Sequence, residues 1–136
     1  DDLWVATLRG LNRISGGRIQ SFLQVDSGLM NDVVYHVVVD DGLVWAATGA
    51  GASVYDTRTG AWDLWDTGNS IMHEPWCYSL AQGPGRVWIG VWGAGIVELD
   101  GDHAPGTPAD ELFGYRDGNE WYVTHLRFRP REEARP

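Results

Sequence analysis

Three observations predict an all-β chain built of propeller blades. Tryptophan recurs at Trp4, Trp45 and Trp88, 41 and then 43 residues apart, inside Leu-Trp-Val-Ala-Thr, Val-Trp-Ala-Ala-Thr and Val-Trp-Ile-Gly-Val. Each of these runs is followed by a glycine turn and a second apolar segment, so the similarity is a repeat and not an isolated residue. No segment sustains a helical period of 3.6. A β-rich repeat of roughly 40 to 45 residues with an aromatic at a fixed place is the signature of propeller blades, not of helical solenoids.

The elements follow in order within each unit. The tryptophan strand leads to Gly10–Ile14, Gly51–Asp56 and Gly95–Asp100. A third segment follows at Arg18–Phe22, Ala61–Trp65 and Leu112–Tyr115, and a fourth at Val33–Val39, Trp76–Ala81 and Trp121–Phe128. Alternating apolar and polar residues between turn signals read as strands. The turns before the next tryptophan, Asp40-Asp41-Gly42 and Gly83-Pro84-Gly85, suit tight hairpins. Four strands per unit predict three four-stranded antiparallel sheets in a permuted frame over residues 1–129. Gly101–Asp110 is a Pro- and Gly-rich insertion and residues 130–136 a polar tail or linker. Eighteen glycines and eight tryptophans in 136 residues supply the turns and the large apolar faces this needs.

Propellers close with about four to eight blades, so three blades make an incomplete ring. Either the remaining blades belong to a longer chain, or identical chains assemble with Trp121–Phe128 of one completing the first blade of the next. The lack of an initiator Met favours a portion of a longer or processed protein. An isolated monomer is expected to be poorly stable, because it exposes blade faces and an unpaired strand edge.

The run Ser27-Gly28-Leu29-Met30-Asn31-Asp32-Val33, then Asp40-Asp41-Gly42-Leu43-Val44-Trp45-Ala46-Ala47-Thr48 and Gly51, resembles the two-component regulator propeller repeat. The resemblance covers about three repeats, nearly the whole chain. It departs where His73-Glu74-Pro75-Trp76 replaces small polar residues and at the 101–110 insertion. It implies a β-propeller module of a bacterial signalling sensor, periplasmic or extracellular, that binds a small ligand, often a carbohydrate in the family, or a protein.

Charge and motifs narrow the classes. Nineteen acidic against ten basic residues give a net charge of −9, which argues against nucleic acid, since phosphate binding needs a cationic surface. No apolar run reaches the roughly 18 residues of a membrane span, and this segment carries no signal peptide. No Gly-x-Ser-x-Gly elbow, Walker loop, dinucleotide fingerprint or zinc spacing occurs. No cofactor and no metal are expected. The single cysteine, Cys77, reads as a buried, inert thiol between Trp76 and Tyr78.

The candidate site lies in the turns before the fourth-segment strands. Counting back along the repeat makes Asn31, His73 and Asn119 equivalent, and likewise Asp32, Glu74 and Glu120, which would set three carboxylates on one rim. Asn and Asp are also ordinary turn residues. His73 and Glu74, followed by the rigid Pro75 and the ring of Trp76, are the stronger candidates. Trp92 and Trp76 would suit stacking on a sugar, with Tyr78, Tyr35, His36 and His125 as channel lining. The reading is a non-catalytic ligand-binding or protein-interaction module. The alternative is a metal-assisted lyase resembling the streptogramin lyases, with His73 and Glu74 as its acid/base pair.

Overall fold

The computed structural model describes residues 1–68, 72–83 and 86–100, with the backbone of three short strands beyond. The 101–110 insertion, the 130–136 tail, Asn119 and His125 lie outside the described residues. Every described element is a strand. The first sheet has three, β1 (Leu3–Thr7), β2 (Gly10–Ser15) and β3 (Arg18–Phe22), in the order β1-β2-β3. The second has β4 (Val34–Asp40), β5 (Leu43–Thr48), β6 (Gly51–Asp56) and β7 (Trp62–Trp65), and the third β8 (Cys77–Gly83), β9 (Arg86–Val91), β10 (Gly95–Asp100) and β11 (Glu111–Leu112). Both run in simple meander order, antiparallel throughout.

These sheets are propeller blades. The tryptophan strands β1, β5 and β9 are equivalent, and β4 and β8 each add an innermost strand that β1 lacks. The third unit departs from the expected pattern. Leu112–Tyr115 is not one strand: β11 ends at Leu112, and β12 (Gly114–Asp117) instead pairs with β13 (Glu120–Val123) in a separate hairpin. The segment expected to begin a further blade at Trp121 is thus, as far as Val123, the second arm of that hairpin. Strands that are neighbours in sequence and pair with one another satisfy their hydrogen bonds locally, and that favours this pairing.

The tryptophans build the interfaces between blades. Trp4 of β1, Phe22 of β3, Tyr55 of β6 and Trp62 of β7 form one aromatic cluster between the first and second sheets, centroids 4.9 to 5.8 Å apart. Trp45 stacks on Trp65 at 5.2 Å in the core between the second and third sheets, with Leu80, Ile89, Val91 and Val97. Trp88 is half-buried and donates its indole N–H to Oε2 of the buried Glu98 at 2.8 Å. A buried carboxylate needs such a donor, since an unpaired one is costly.

The repeat also conserves its turn chemistry. Thr7 Oγ1 donates to the Gly10 carbonyl and accepts from the Arg9 N–H, and Thr48 does the same with Gly51 and Ala50. Val91 takes the threonine's place in the third sheet, the turn grows by one residue, and Ala94 N–H bonds to the Val91 carbonyl instead. His36 Nδ1 accepts from the Leu80 N–H at 2.8 Å, tying β4 to β8. This assigns the imidazole proton to Nε2 and occupies one backbone donor on the edge of β8.

Cys77 lies fully buried between Met72 and the Pro75 carbonyl. Burial pushes its thiol up from the usual 9.0 to about 12. The thiol of the unfolded chain therefore ionises first. Its contribution to stability is whole below about pH 9 and is lost as pH rises toward 12. Iodoacetamide at pH 8 is expected to label Cys77 no faster than the chain unfolds, and at once in urea. Mass spectrometry over time separates the two, and rapid native labelling would contradict the burial.

Candidate functional site

The two innermost strands share an irregularity that the sequence does not announce. The β4–β5 register slips between Val34 and His36, and the β8–β9 register slips between Cys77 and Ser79. Each slip leaves one tyrosine, Tyr35 or Tyr78, as the extra residue of a β-bulge. Bulges re-aim side chains, and the two rings meet at 4.9 Å.

Trp76 and Trp92 complete the patch. Trp76 stacks on Tyr78 at 5.7 Å with 18° between planes and approaches Tyr35 at 6.2 Å, while Trp92 meets Tyr78 edge-on at 5.1 Å and Trp76 at 6.4 Å. The Trp92 N–H donates to the Trp76 carbonyl at 2.7 Å. The equivalent bond one blade earlier, Gly49 N–H to the Val33 carbonyl at 3.1 Å, joins two small residues. The third sheet therefore carries two tryptophans where the second carries glycine and valine. Trp92 projects from the lengthened β9–β10 turn and is 59% exposed, and Trp76 is 40% exposed. Four mutually packed rings hold few rotamers, each pair contributing about 0.5–1.5 kcal/mol. The exposed ring surface is preorganised.

The register corrects the expected alignment of carboxylates. Val34 and Cys77 face the equivalent residues Thr48 and Val91, so Val33 matches Trp76, Asp32 matches Pro75 and Asn31 matches Glu74. Asp32 and Glu74 are one residue out of step, so the expected equivalence of these two carboxylates does not hold. The two blades are 43 residues apart on both sides of their bulges, Val34 to Cys77 and His36 to Ser79, whereas Asp32 and Glu74 are 42 apart. The Asp32 carboxylate is also engaged locally: Oδ1 accepts from the Gln24 N–H at 2.7 Å, while its carbonyl accepts from Gly10 N–H at 2.6 Å. Asn31 Oδ1 accepts from the Val33 N–H at 2.9 Å, an Asx turn.

His73 and Glu74 are exposed on the loop leading through Pro75 to Trp76. Glu120 opens β13, and its side chain lies outside the described residues. Among the described residues no group of three or more His, Cys, Asp and Glu side chains is placed to hold a metal. Of the sequence candidates, the structure brings together Trp76, Tyr78 and Trp92. Tyr35, expected with Tyr78 as channel lining, joins them, and the two tyrosines recur at an interval of 43 residues.

The same sheets recur in known structures. The chain superimposes on the extracellular domain of B. thetaiotaomicron BT3049, described as a hybrid two-component system, with a TM-score of 0.66 and 17% identity over 82% of this chain. Two structures of the extracellular domain of B. thetaiotaomicron BT4673, described as a one-component and as a hybrid two-component system, match with TM-scores of 0.63 and 0.64 at 20% identity, again over 82%. The fold is shared. The chain spans only 16 to 17% of those domains' own length. No protein-family model and no curated protein matches the chain.

Proposed function

We propose that this chain is a non-catalytic recognition module, three blades of an extracytoplasmic propeller in a bacterial signalling sensor. Its ligand lies on the rim formed by Trp76, Trp92, Tyr78 and Tyr35. One observation carries the reading: two tryptophans stand 40% and 59% exposed in a preorganised aromatic patch. An exposed contiguous apolar patch in a folded protein marks a binding surface. Flat rings at low entropic cost suit the apolar face of a sugar ring or an aromatic anchor of a protein partner. His73 and Glu74, exposed one and two residues before Pro75, supply polar groups for the edge of such a ligand. The shared fold with the extracellular sensor domains supports the signalling context.

The test is a panel of neutral oligosaccharides titrated against the chain by calorimetry, with Trp76→Ala and Trp92→Ala beside it. Each variant is expected to weaken binding tenfold or more, about 1.4 kcal/mol, while circular dichroism still reports a folded all-β chain that unfolds cooperatively, at a somewhat lower temperature. Binding that survives both substitutions would remove the patch from the site.

A further inference from the structure

The described blades have two ends, and charge is divided unequally between them. One end gathers the β1–β2, β5–β6 and β9–β10 turns with the β3–β4 and β7–β8 loops. Backbone bonds tie these together: Gly10 N–H to the Asp32 carbonyl, Gly49 N–H to the Val33 carbonyl and Trp92 N–H to the Trp76 carbonyl. Among the described residues these segments carry four carboxylates, Asp26, Asp32, Asp66 and Glu74, against a single arginine, Arg9. Arg18 and Arg58 stand at the opposite end, beside the β2–β3 turn and in the β6–β7 connection, where Arg58 pairs with Asp56 at 3.2 Å. Backbone N–H groups of Leu23, Gln24 and Gly68 position Asp26, Asp32 and Asp66, and Glu74 is exposed two residues before Trp76. The aromatic patch therefore stands at the acidic end. Blades cover one another through their sheet faces, whereas Trp76 and Trp92 lie where β8 begins and β9 ends.

We propose, on the footing that the aromatic patch is the ligand site, that its ligand is an oligosaccharide bearing free amino groups. Two properties of the same end converge on it. Tryptophan faces attract cations as well as apolar sugar faces, and carboxylates around an open surface concentrate cations beside it. A pyranose stacked on a tryptophan directs its equatorial substituents sideways, past the edge of the indole and into the field of those carboxylates. An ammonium there is attracted where a hydroxyl is not, and a carboxylate or sulfate is repelled. The rim thus favours amino sugars over neutral sugars of the same shape, and neutral sugars over acidic ones.

Calorimetry with a matched pair of probes tests it: cellotetraose, and the β-1,4-linked tetramer of glucosamine, which has an ammonium where cellotetraose has a hydroxyl. At slightly acidic pH and low salt the glucosamine tetramer is expected to bind tenfold or more tighter. In about 0.5 M NaCl that lead is expected to fall below about threefold. Glu74→Gln is expected to cut the lead about threefold, whereas Asp41→Asn, which removes an exposed carboxylate at the opposite end, is expected to leave it intact. Equal affinities for the two tetramers would overturn the proposal. So would a lead that neither salt nor Glu74→Gln reduces, a lead that Asp41→Asn reduces as much, or a tetralysine peptide that binds where the glucosamine tetramer does not. Trp92→Ala separates this charge preference from the site itself. If both tetramers bind the variant as they bind the parent, the patch is not the site; if both are lost but bind the parent equally, the patch stands and only the preference for charge falls.

Discussion

Gly51→Ala is expected to lower the free energy of unfolding by about 3 kcal/mol or more, from backbone strain of about 1–3 kcal/mol and overpacking of similar size. Gly51 begins β6 with φ at +140°, in the region L side chains rarely adopt, and a Cβ there would stand 2.5 Å from the Trp65 carbonyl oxygen. Neither backbone can retreat, because β7 is paired to β6 along its length and Trp65 is locked in the core. Gly10 repeats the arrangement, with φ at +95° and a Cβ 2.4 Å from the Phe22 carbonyl oxygen. Gly60→Ala is the control. Its φ is +76° but nothing lies within 4 Å, so only the left-handed cost of about 1–2 kcal/mol applies. Urea midpoints at constant slope report all three, and equal losses at Gly51 and Gly60 would contradict the close approach.

Trp45→Ala is expected to cost about 3–5 kcal/mol, the range for a large buried aromatic cut back to alanine. Trp45 is 6% exposed and stacks on Trp65, itself 1% exposed, at 5.2 Å and 25°. Its loss opens a void that two paired sheets cannot collapse to fill, because their backbones are fixed by the ladders on either side. Trp4→Ala is expected to cost less. Trp4 is only partly buried, with Arg13 lying over its ring at 5.5 Å and itself paired with Asp2. Thermal unfolding followed by circular dichroism ranks the two, and a larger loss at Trp4 would contradict the placement of the core.

These two residues show why so much of the fold was legible. Alternation is a local property of a strand, and glycine is demanded where the chain turns with positive φ, so Trp45 and Gly51 announce their roles within ten residues of sequence. The strands β1 to β10 accordingly fall within a residue or two of their expected bounds. The third unit beyond Asp100 did not. There the expected single strand 112–115 is divided between two sheets, a choice that depends on which neighbour offers the better ladder.

The candidate site was half legible. Trp76, Trp92 and Tyr78 stand out as aromatics away from the repeated position, but their convergence with Tyr35 depends on two bulges that add one residue without any local signature. The mismatch of Asp32 with Glu74 has a different origin: equivalent residues of the two blades are 43 apart throughout, and these two are 42 apart.

The sequence by itself determined the strands, the glycine turns and the alternation that puts tryptophan on one face of each blade, because these follow from periodicity and backbone sterics within a few residues. Only the tertiary structure decided which aromatics are covered and which remain open. Trp45 and Trp76 are the same kind of side chain, and what separates them is whether a neighbouring sheet lies over the ring. Burial is a property of the neighbour, and the neighbour is fixed by long-range pairing and packing between blades.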